Sequence, residues 1–369
     1  MNLFSIIPLL RLGCGALALA KVKSRPAEVR RVAVVMGGWL GDTFWAAQTL
    51  PELAEAFPQA EIYAVIRNGH VLLLNGFLPP ERIVAVESFV SDRSREKFRP
   101  ADFLRAILRV RRLKPDVVVD LMVNQFSALF TLACGAYSVG ADLDRHITGH
   151  YSFAARRELF PGVHLALRPR AIIRQFIGAP ASPEISLRPP RPFYTAEETA
   201  RRLSLPPGGK IALLVPGAGW AAKRYAPARF RELTTRLLVK GFAVAVSVSL
   251  SEHALYAEIA AGRENVIREV SDLRLILSLL PLCAVCVGND SGIIHVAAAA
   301  GIPCIALFCQ TNPEYCAPRG GRVKVLRADC PLTPTATHFC CGEPRLTCDH
   351  PECMDISVDA VSAAIDELV

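Results

Sequence analysis

The chain has 369 residues, of which 51% are hydrophobic and 21% charged, which excludes an intrinsically disordered protein and predicts about two domains. Its 42 basic side chains exceed the 34 acidic ones, so the formal net charge of +8 favours an acidic partner. Because only 7% of the residues are aromatic and no apolar run reaches about 18 residues, we expect neither nucleic acid as a partner nor a membrane-spanning helix.

Residues 1–30 form an apolar and basic N-terminal segment. The apolar stretch 3–20 is interrupted by Pro8 and Arg11, and no charged side chain precedes it, unlike in a secretory signal. Two interpretations stay open: the segment lies on an anionic membrane surface, or it packs as a helix on the body of the protein. Five basic side chains follow the apolar stretch: Lys21, Lys23, Arg25, Arg30 and Arg31.

Short aliphatic runs then alternate with longer amphipathic stretches, which is typical of βαβ units around a parallel sheet. In the first half we predict strands at residues 32–36, 61–66, 82–86 and 116–122, and helices at 42–57 and 101–113. The pattern restarts with predicted strands at 211–215, 242–248, 266–270, 284–288 and 303–308, and helices at 227–240 and 272–280.

A proline-rich stretch without periodicity, residues 182–194, separates the two series and reads as a linker. The sequence therefore predicts an α/β protein with two doubly wound Rossmann-like domains, residues 31–188 and 189–369, facing each other across a cleft. In such sheets, ligands bind outside the carboxyl ends of the strands. We expect the functional residues to follow the strands.

The first strand runs into Gly37, Gly38 and Gly41, and Asp42 opens the next helix. The glycine spacing does not match the dinucleotide fingerprint G-x-G-x-x-G, so an NAD site is not expected. Asp42 has two interpretations: it caps the helix, or its carboxylate serves the cleft.

The first strand of the second series leads into Pro216, Gly217, Ala218 and Gly219, and Lys223 and Arg224 follow. Backbone N–H groups of a glycine turn together with a lysine suit an anionic ligand. The alternative is an ordinary solvated loop.

A third motif, residues 289–295, follows the predicted strand 284–288. Ser291 and Gly292 should open an alanine-rich helix, whose free N–H groups and dipole suit a diphosphate. Asp290 should order the loop or contact hydroxyl groups, because its charge would repel phosphate. His295 is either a buried core histidine or part of this pocket.

Together these motifs resemble glycosyltransferase family 9, whose best-known members are the lipopolysaccharide heptosyltransferases. The resemblance covers about residues 31–356 and includes Cys353-Met354. The residues that carry it are Leu40-Gly41-Asp42, then Pro216-Gly217-Ala218 with Lys223-Arg224-Tyr225, and finally Asn289-Asp290-Ser291-Gly292 with His295.

The resemblance implies the GT-B fold and an inverting sugar transfer that needs neither metal nor cofactor. It implies an ADP-heptose donor in the C-terminal domain and an acidic glycolipid or glycan acceptor at the N-terminal domain. The size and class of the chain favour a cytoplasmic location, and a peripheral position at the inner face of the cytoplasmic membrane stays open. Asp42 would then be the general base. Lys223 would contact the donor phosphate, while Ser291, Gly292 and His295 would form the diphosphate pocket. Glu252, after the strand 242–248, would hold the donor ribose.

Three departures from the family pattern motivate a second hypothesis, a catalytically silent GT-B protein that binds a glycan or scaffolds a membrane assembly. The chain has Met36-Gly37-Gly38-Trp39 where the family usually has Arg and Ser before Leu-Gly-Asp. It has Tyr225 in place of a tryptophan, and Ser247-Val248-Ser249 in place of a glycine pair.

Two further clusters have open interpretations. Basic side chains crowd residues 93–114, where they form either a solvated helix face or a surface for an acidic glycolipid or anionic headgroups. The segment 330–353 holds Cys330, Cys340, Cys341, Cys348 and Cys353, whose spacing fits no common zinc motif. A structural zinc or iron–sulfur site, free thiols and a disulfide are all open there, and we assign no catalytic metal.

Overall fold

The computed structural model describes residues 23–87, 99–141, 151–156, 163–182, 184, 186–219, 221–328 and 354–369. The chain divides into two compact units, Met1–Ile185 and Ser186–Val369, three residues before the predicted boundary at 188. No helix within the described ranges is both long and apolar enough to span a bilayer.

The N-terminal unit is built on a six-stranded sheet in which every pairing is parallel, in the order β3-β2-β1-β4-β5-β6. Its strands are β1 (Arg31–Val35), β2 (Glu61–Arg67), β3 (Ile83–Val86), β4 (Val117–Asp120), β5 (Tyr137–Ala141) and β6 (Phe153–Ala155). Its helices are α1 (Leu40–Ala47), α2 (Leu50–Ala56), α3 (Pro100–Arg112), α4 (Gln125–Ala133) and α5 (Arg168–Ile177), with 3₁₀ turns at Asn68–Leu74, Pro80–Arg82 and Leu165–Leu167.

The C-terminal unit repeats this topology, in the order β12-β11-β10-β7-β8-β9. Its strands are β7 (Ile211–Val215), β8 (Ala243–Ser247), β9 (Ile267–Val270), β10 (Cys283–Asn289), β11 (Cys304–Phe308) and β12 (Val323–Arg327). Its helices are α6 (Ala196–Arg202), α7 (Pro227–Val239), α8 (His253–Ala260), α9 (Leu273–Leu279), α10 (Gly292–Ala299), α11 (Pro313–Cys316) and α12 (Val358–Leu368), with 3₁₀ turns at Ala221–Lys223, Leu250–Glu252 and Leu280–Leu282.

Both sheets bury their two faces, which explains why their strands read as continuous aliphatic runs. In β1, Val32 and Val34 join one core cluster, whereas Ala33 and Val35 join the cluster on the opposite face. The strand order is the doubly wound one, and it reverses between β1 and β4 and again between β7 and β10. The predicted pair of Rossmann-like domains is confirmed, and these two switch points are where ligands are expected.

The structure corrects the predicted elements in two respects. The helix predicted at 42–57 is two helices, because the chain turns at Gln48 and Thr49 and Pro51 occupies the first turn of α2, where its missing N–H costs nothing. Strands β5, β6 and β12 were missed. β5 contains serine and glycine, β6 has only three residues, and β12 carries two basic residues and is half-buried along its whole length.

Candidate active site

The switch point of the C-terminal unit brings together the loops that follow β7 and β10. Gly288 permits this approach, because a Cβ atom at its position would lie 2.6 Å from the Cβ atom of Val215. Asn289 joins the two loops. Its side-chain oxygen accepts a hydrogen bond from the Tyr225 N–H at 3.0 Å, and its amide donates to the Pro216 carbonyl at 2.7 Å. A fully buried side chain therefore fixes both ends of the loop 216–225.

Lys223, Asp290 and His295 form one buried ionic cluster at this switch point. The Lys223 ammonium forms an ion pair with Asp290 Oδ2, and His295 Nε2 lies 3.6 Å from Asp290 Oδ1. Thr311 donates a hydrogen bond to Asp290 Oδ2 at 2.7 Å. Burial by itself would raise the pKa of the Asp290 carboxyl, but the charge of Lys223, together with the contact to His295, outweighs burial and holds that pKa well below its usual range. Asp290 is therefore an anion that orders the loop.

The helix that begins beside this cluster is α10, whose first residue is Gly292 and whose N-cap is Ser291. Ser291 makes no capping hydrogen bond, and its buried hydroxyl has no hydrogen-bond partner among the described residues. The N–H groups of the first helical turn have no partner within the helix, and the positive end of its dipole lies at the same place. This arrangement suits a phosphate group.

Glu252 reaches the same switch point from the end of β8. Its carboxylate accepts hydrogen bonds from the Ser249 N–H at 3.1 Å and from the Arg224 guanidinium at 3.2 Å. A Cβ atom on Gly217 would lie 2.8 Å from Glu252 Oε2, so the carboxylate lies directly against the backbone of this glycine. Glu252 thus lies against the glycine turn that the sequence indicated.

In the N-terminal unit, Asp42 lies just beyond the carboxyl end of β1. It occupies the third position of α1 instead of the N-cap, which is Trp39, because the helix begins at Leu40. The exposed Asp42 carboxylate accepts a hydrogen bond from the Trp39 N–H at 3.1 Å. The neighbouring Thr43 hydroxyl contacts the Met36 carbonyl at 3.3 Å and His70 Nδ1 at 3.1 Å. Asp42 therefore helps to cap its helix from the third helical position, because its side chain accepts a hydrogen bond from the backbone N–H of the N-cap residue, as in a capping box.

Sequence reasoning missed Asp120, a fully buried carboxylate that ends β4 at the switch point of the N-terminal unit, between β1 and β4. Tyr151 donates to its Oδ2 at 2.6 Å, and the N–H groups of Met122 and Val123 donate to its Oδ1 at 2.9 and 3.0 Å. Burial nevertheless raises the pKa of Asp120. The sequence did carry a signal for Asp120, because this charged residue ends the otherwise aliphatic strand β4.

Some predicted features lie outside the described residues. These are residues 1–22 of the N-terminal segment, the basic residues Arg93, Arg95 and Lys97, and the five cysteines of the segment 330–353. Within the described ranges, no group of three or more His, Cys, Asp and Glu side chains is arranged to hold a metal ion.

Comparison with known proteins gives a consistent result. The model of glycosyltransferase family 9 (heptosyltransferase) matches residues 104–344, which is more than half of the chain. The chain is 26% identical over 323 residues to lipopolysaccharide heptosyltransferase 1 of Pseudomonas aeruginosa, covering 85% of this chain and 88% of that protein.

Two solved structures from Escherichia coli share the fold. ADP-heptose lipopolysaccharide heptosyltransferase II superposes with a TM-score of 0.70 at 21% identity, covering 92% of this chain and 98% of that one. Heptosyltransferase WaaC with ADP gives a TM-score of 0.67 at 18% identity, covering 92% of this chain and 100% of that one. These likenesses confirm the predicted GT-B fold class.

Proposed function

Because this chain belongs to glycosyltransferase family 9 and is a glycosyltransferase, we propose that it transfers heptose from ADP-heptose to the core of lipopolysaccharide or a related glycan acceptor. The observation that carries the proposal is the buried cluster of Lys223, Asp290 and His295 at the tip of α10, where a nucleotide diphosphate would bind. The named relatives that act on lipopolysaccharide support the choice of acceptor. The proposal includes a cytoplasmic location, since nucleotide sugars are metabolites of that compartment.

In the proposed reaction, an acceptor hydroxyl oxygen attacks the anomeric carbon while the bond from that carbon to the diphosphate oxygen breaks. One displacement inverts the anomeric configuration. The proton of the hydroxyl passes to the Asp42 carboxylate, and the electron pair of the broken bond leaves with ADP. A carboxylate has about four lone-pair sites, so Asp42 can keep its bond to the Trp39 N–H while it accepts this proton.

The leaving diphosphate gains negative charge, which the first-turn N–H groups of α10, the Ser291 hydroxyl and the Lys223 ammonium would stabilise. The ammonium carries three N–H donors, so Lys223 can stay paired with Asp290 and still contact a phosphate oxygen. Asp290 holds the lysine in place. Glu252, beside Gly217, would accept hydrogen bonds from the ribose hydroxyls.

The variant Asp42→Asn tests this proposal, because measuring both its transfer activity and its affinity for ADP separates catalysis from donor binding. Asparagine keeps an oxygen for the Trp39 N–H but loses the basicity, so we expect transfer to lipopolysaccharide lacking heptose to fall about 10²–10⁴-fold. ADP affinity measured by calorimetry should stay within about twofold, since the substitution leaves the C-terminal unit untouched. The matched control is Asp272→Asn, another aspartate at a helix start, which accepts a hydrogen bond from the Arg274 N–H.

Full transfer activity of the Asp42→Asn variant would show that Asp42 is not the general base. A wild-type chain that binds ADP but forms no product with ADP-heptose or other nucleotide sugars would favour the catalytically silent alternative. Selective stabilisation of the folded chain by ADP-heptose over UDP-sugars would identify the donor before any acceptor is found.

A further inference from the structure

The outer face of α3 combines two exposed leucines with a group of arginines. The inner face of this helix, Phe103, Ala106, Ile107 and Val110, is buried against the sheet. Leu104 and Leu108 lie one turn apart on the solvent side and are 56% and 43% exposed. The other exposed large hydrophobic residues of the described ranges, Val239, Leu250, Val266 and Val369, all lie in the C-terminal unit and form no such pair.

Four of the five charged side chains of α3 itself are arginines, and the fifth is Asp102. Arg111 and Arg112 are exposed, and Arg105 keeps 73% of its side chain exposed although it pairs with Asp102 at 3.0 Å. Asp102 itself is largely covered, with 14% of its side chain exposed. Arg109 differs from the others, because its guanidinium donates to the Ala85 carbonyl at 2.7 Å.

The net charge of the whole protein has the same bias. Residues 1–185 carry 23 basic and 16 acidic side chains, whereas residues 186–369 carry 19 and 18. Nearly all of the excess positive charge therefore belongs to the unit that contains α3. A cationic surface with protruding apolar side chains is complementary to anionic headgroups above an acyl layer.

We propose that the outer face of α3 is a docking surface for an anionic lipid bilayer, with Leu104 and Leu108 at the headgroup–acyl boundary and Arg105, Arg111 and Arg112 at the lipid phosphates. Apolar burial and attraction to anionic headgroups add in this geometry, and each arginine near the surface strengthens binding roughly fivefold at low salt. The surface extends the proposed function, because it would hold the acceptor-binding unit at the membrane where a lipid-linked glycan resides.

The experiment measures sedimentation of the full-length chain with vesicles of phosphatidylcholine, alone or mixed with phosphatidylglycerol. We expect preferential binding to the mixed vesicles that weakens as salt is raised. The double variant Leu104→Gln/Leu108→Gln should bind roughly tenfold less. The double variant Arg111→Gln/Arg112→Gln should lose roughly twentyfold at low salt and little at high salt.

Matched controls come from the C-terminal unit. Val239→Gln/Leu250→Gln removes two residues that are each 84% exposed, and Arg201→Gln/Arg231→Gln removes two exposed charges, so both should bind as the wild type does. The proposal is overturned if the α3 variants bind like the wild type, which would leave the N-terminal segment as the anchor. It is equally overturned if the controls lose as much binding, or if the leucine variant instead dissolves a dimer seen by light scattering.

Activity on a soluble, deacylated acceptor distinguishes this inference from the proposed function. The α3 variants should keep wild-type transfer to that acceptor, because the docking surface acts only through lipid. If the wild type binds anionic vesicles through α3 but transfers no sugar, the proposed function fails while the docking surface stands.

Discussion

The Lys223–Asp290 pair yields the sharpest prediction, because each charge is the main compensation for the other. Their side chains are only 10% and 8% exposed. Asp290→Asn removes the carboxylate and leaves the ammonium buried, and removal of one partner of such a pair costs about 3–5 kcal/mol in free energy of unfolding. The Thr311 hydroxyl can still donate its hydrogen bond to the amide oxygen of the asparagine, so loss of this contact contributes little to the destabilisation.

A double-mutant cycle isolates the pair. Lys223→Met retains the apolar stem and removes the charge, so it leaves a buried carboxylate and should also cost several kcal/mol. The double variant Asp290→Asn/Lys223→Met contains neither charge and should be more stable than the sum of the single losses predicts, by about 2–3 kcal/mol. Urea unfolding measures the three values. Each single variant should move the midpoint by roughly 1–2 M for a slope of about 2–3 kcal/mol/M.

The pH dependence gives an independent check, with its sign fixed by the lowered pKa of Asp290. A carboxyl whose pKa is lower in the folded than in the unfolded state stabilises the protein above the unfolded pKa, about 3.9, and loses that contribution as the pH falls below it. The stability difference between wild type and Asp290→Asn should therefore shrink as the pH falls below about 4. Strictly additive single losses, or a difference that does not change with pH, would refute the reasoning.

Two further predictions concern the N-terminal unit. Burial, with a smaller contribution from Arg67, lowers the pKa of His70 to about 4, so stability should fall by up to about 3 kcal/mol as the pH drops from about 6.5 to 4. His70→Asn should flatten that part of the stability–pH curve in thermal unfolding, and an unchanged slope would contradict the assignment. Gly140→Ala should destabilise by about 1–3 kcal/mol, because the new Cβ atom would lie 2.3 Å from the Tyr151 ring. Gly69→Ala is the matched control, since its Cβ atom would meet nothing within 4 Å, and equal stability of the two variants would count against the packing argument.

The departures from the family pattern acquire physical explanations in the structure. Tyr225 is a core residue here, since its buried ring packs edge-on against Phe230 at 5.3 Å and its hydroxyl donates to the Ile356 carbonyl at 2.8 Å. Gly38 lies against Asp42, where a Cβ atom would approach the Asp42 Cβ atom to 2.8 Å. Neither difference removes a residue that the proposed reaction uses.

The sequence by itself determined both series of βαβ units, the helix that opens at Ser291 and Gly292, and the position of Asp42 near a helix start. These features are local, because aliphatic runs, glycine turns and helix caps are encoded by residues close together in the chain. Strands β5, β6 and β12 escaped the same reasoning because none of them stands out as an aliphatic run: β5 contains serine and glycine, β6 has only three residues, and β12 carries two basic residues.

Only the tertiary structure decided which charges meet. Lys223 and Asp290 are 67 positions apart, and Asp120 and Tyr151 are 31 apart, so neither pairing has a local signal. The first pairing depends on the strand order that brings the ends of β7 and β10 together. The second depends on the order β4-β5-β6, because Tyr151 lies just before β6 and its ring crosses Gly140 of β5 to reach Asp120 at the end of β4. Burial at those strand ends then selects the state of each carboxyl, because a charge removed from water persists only beside a partner.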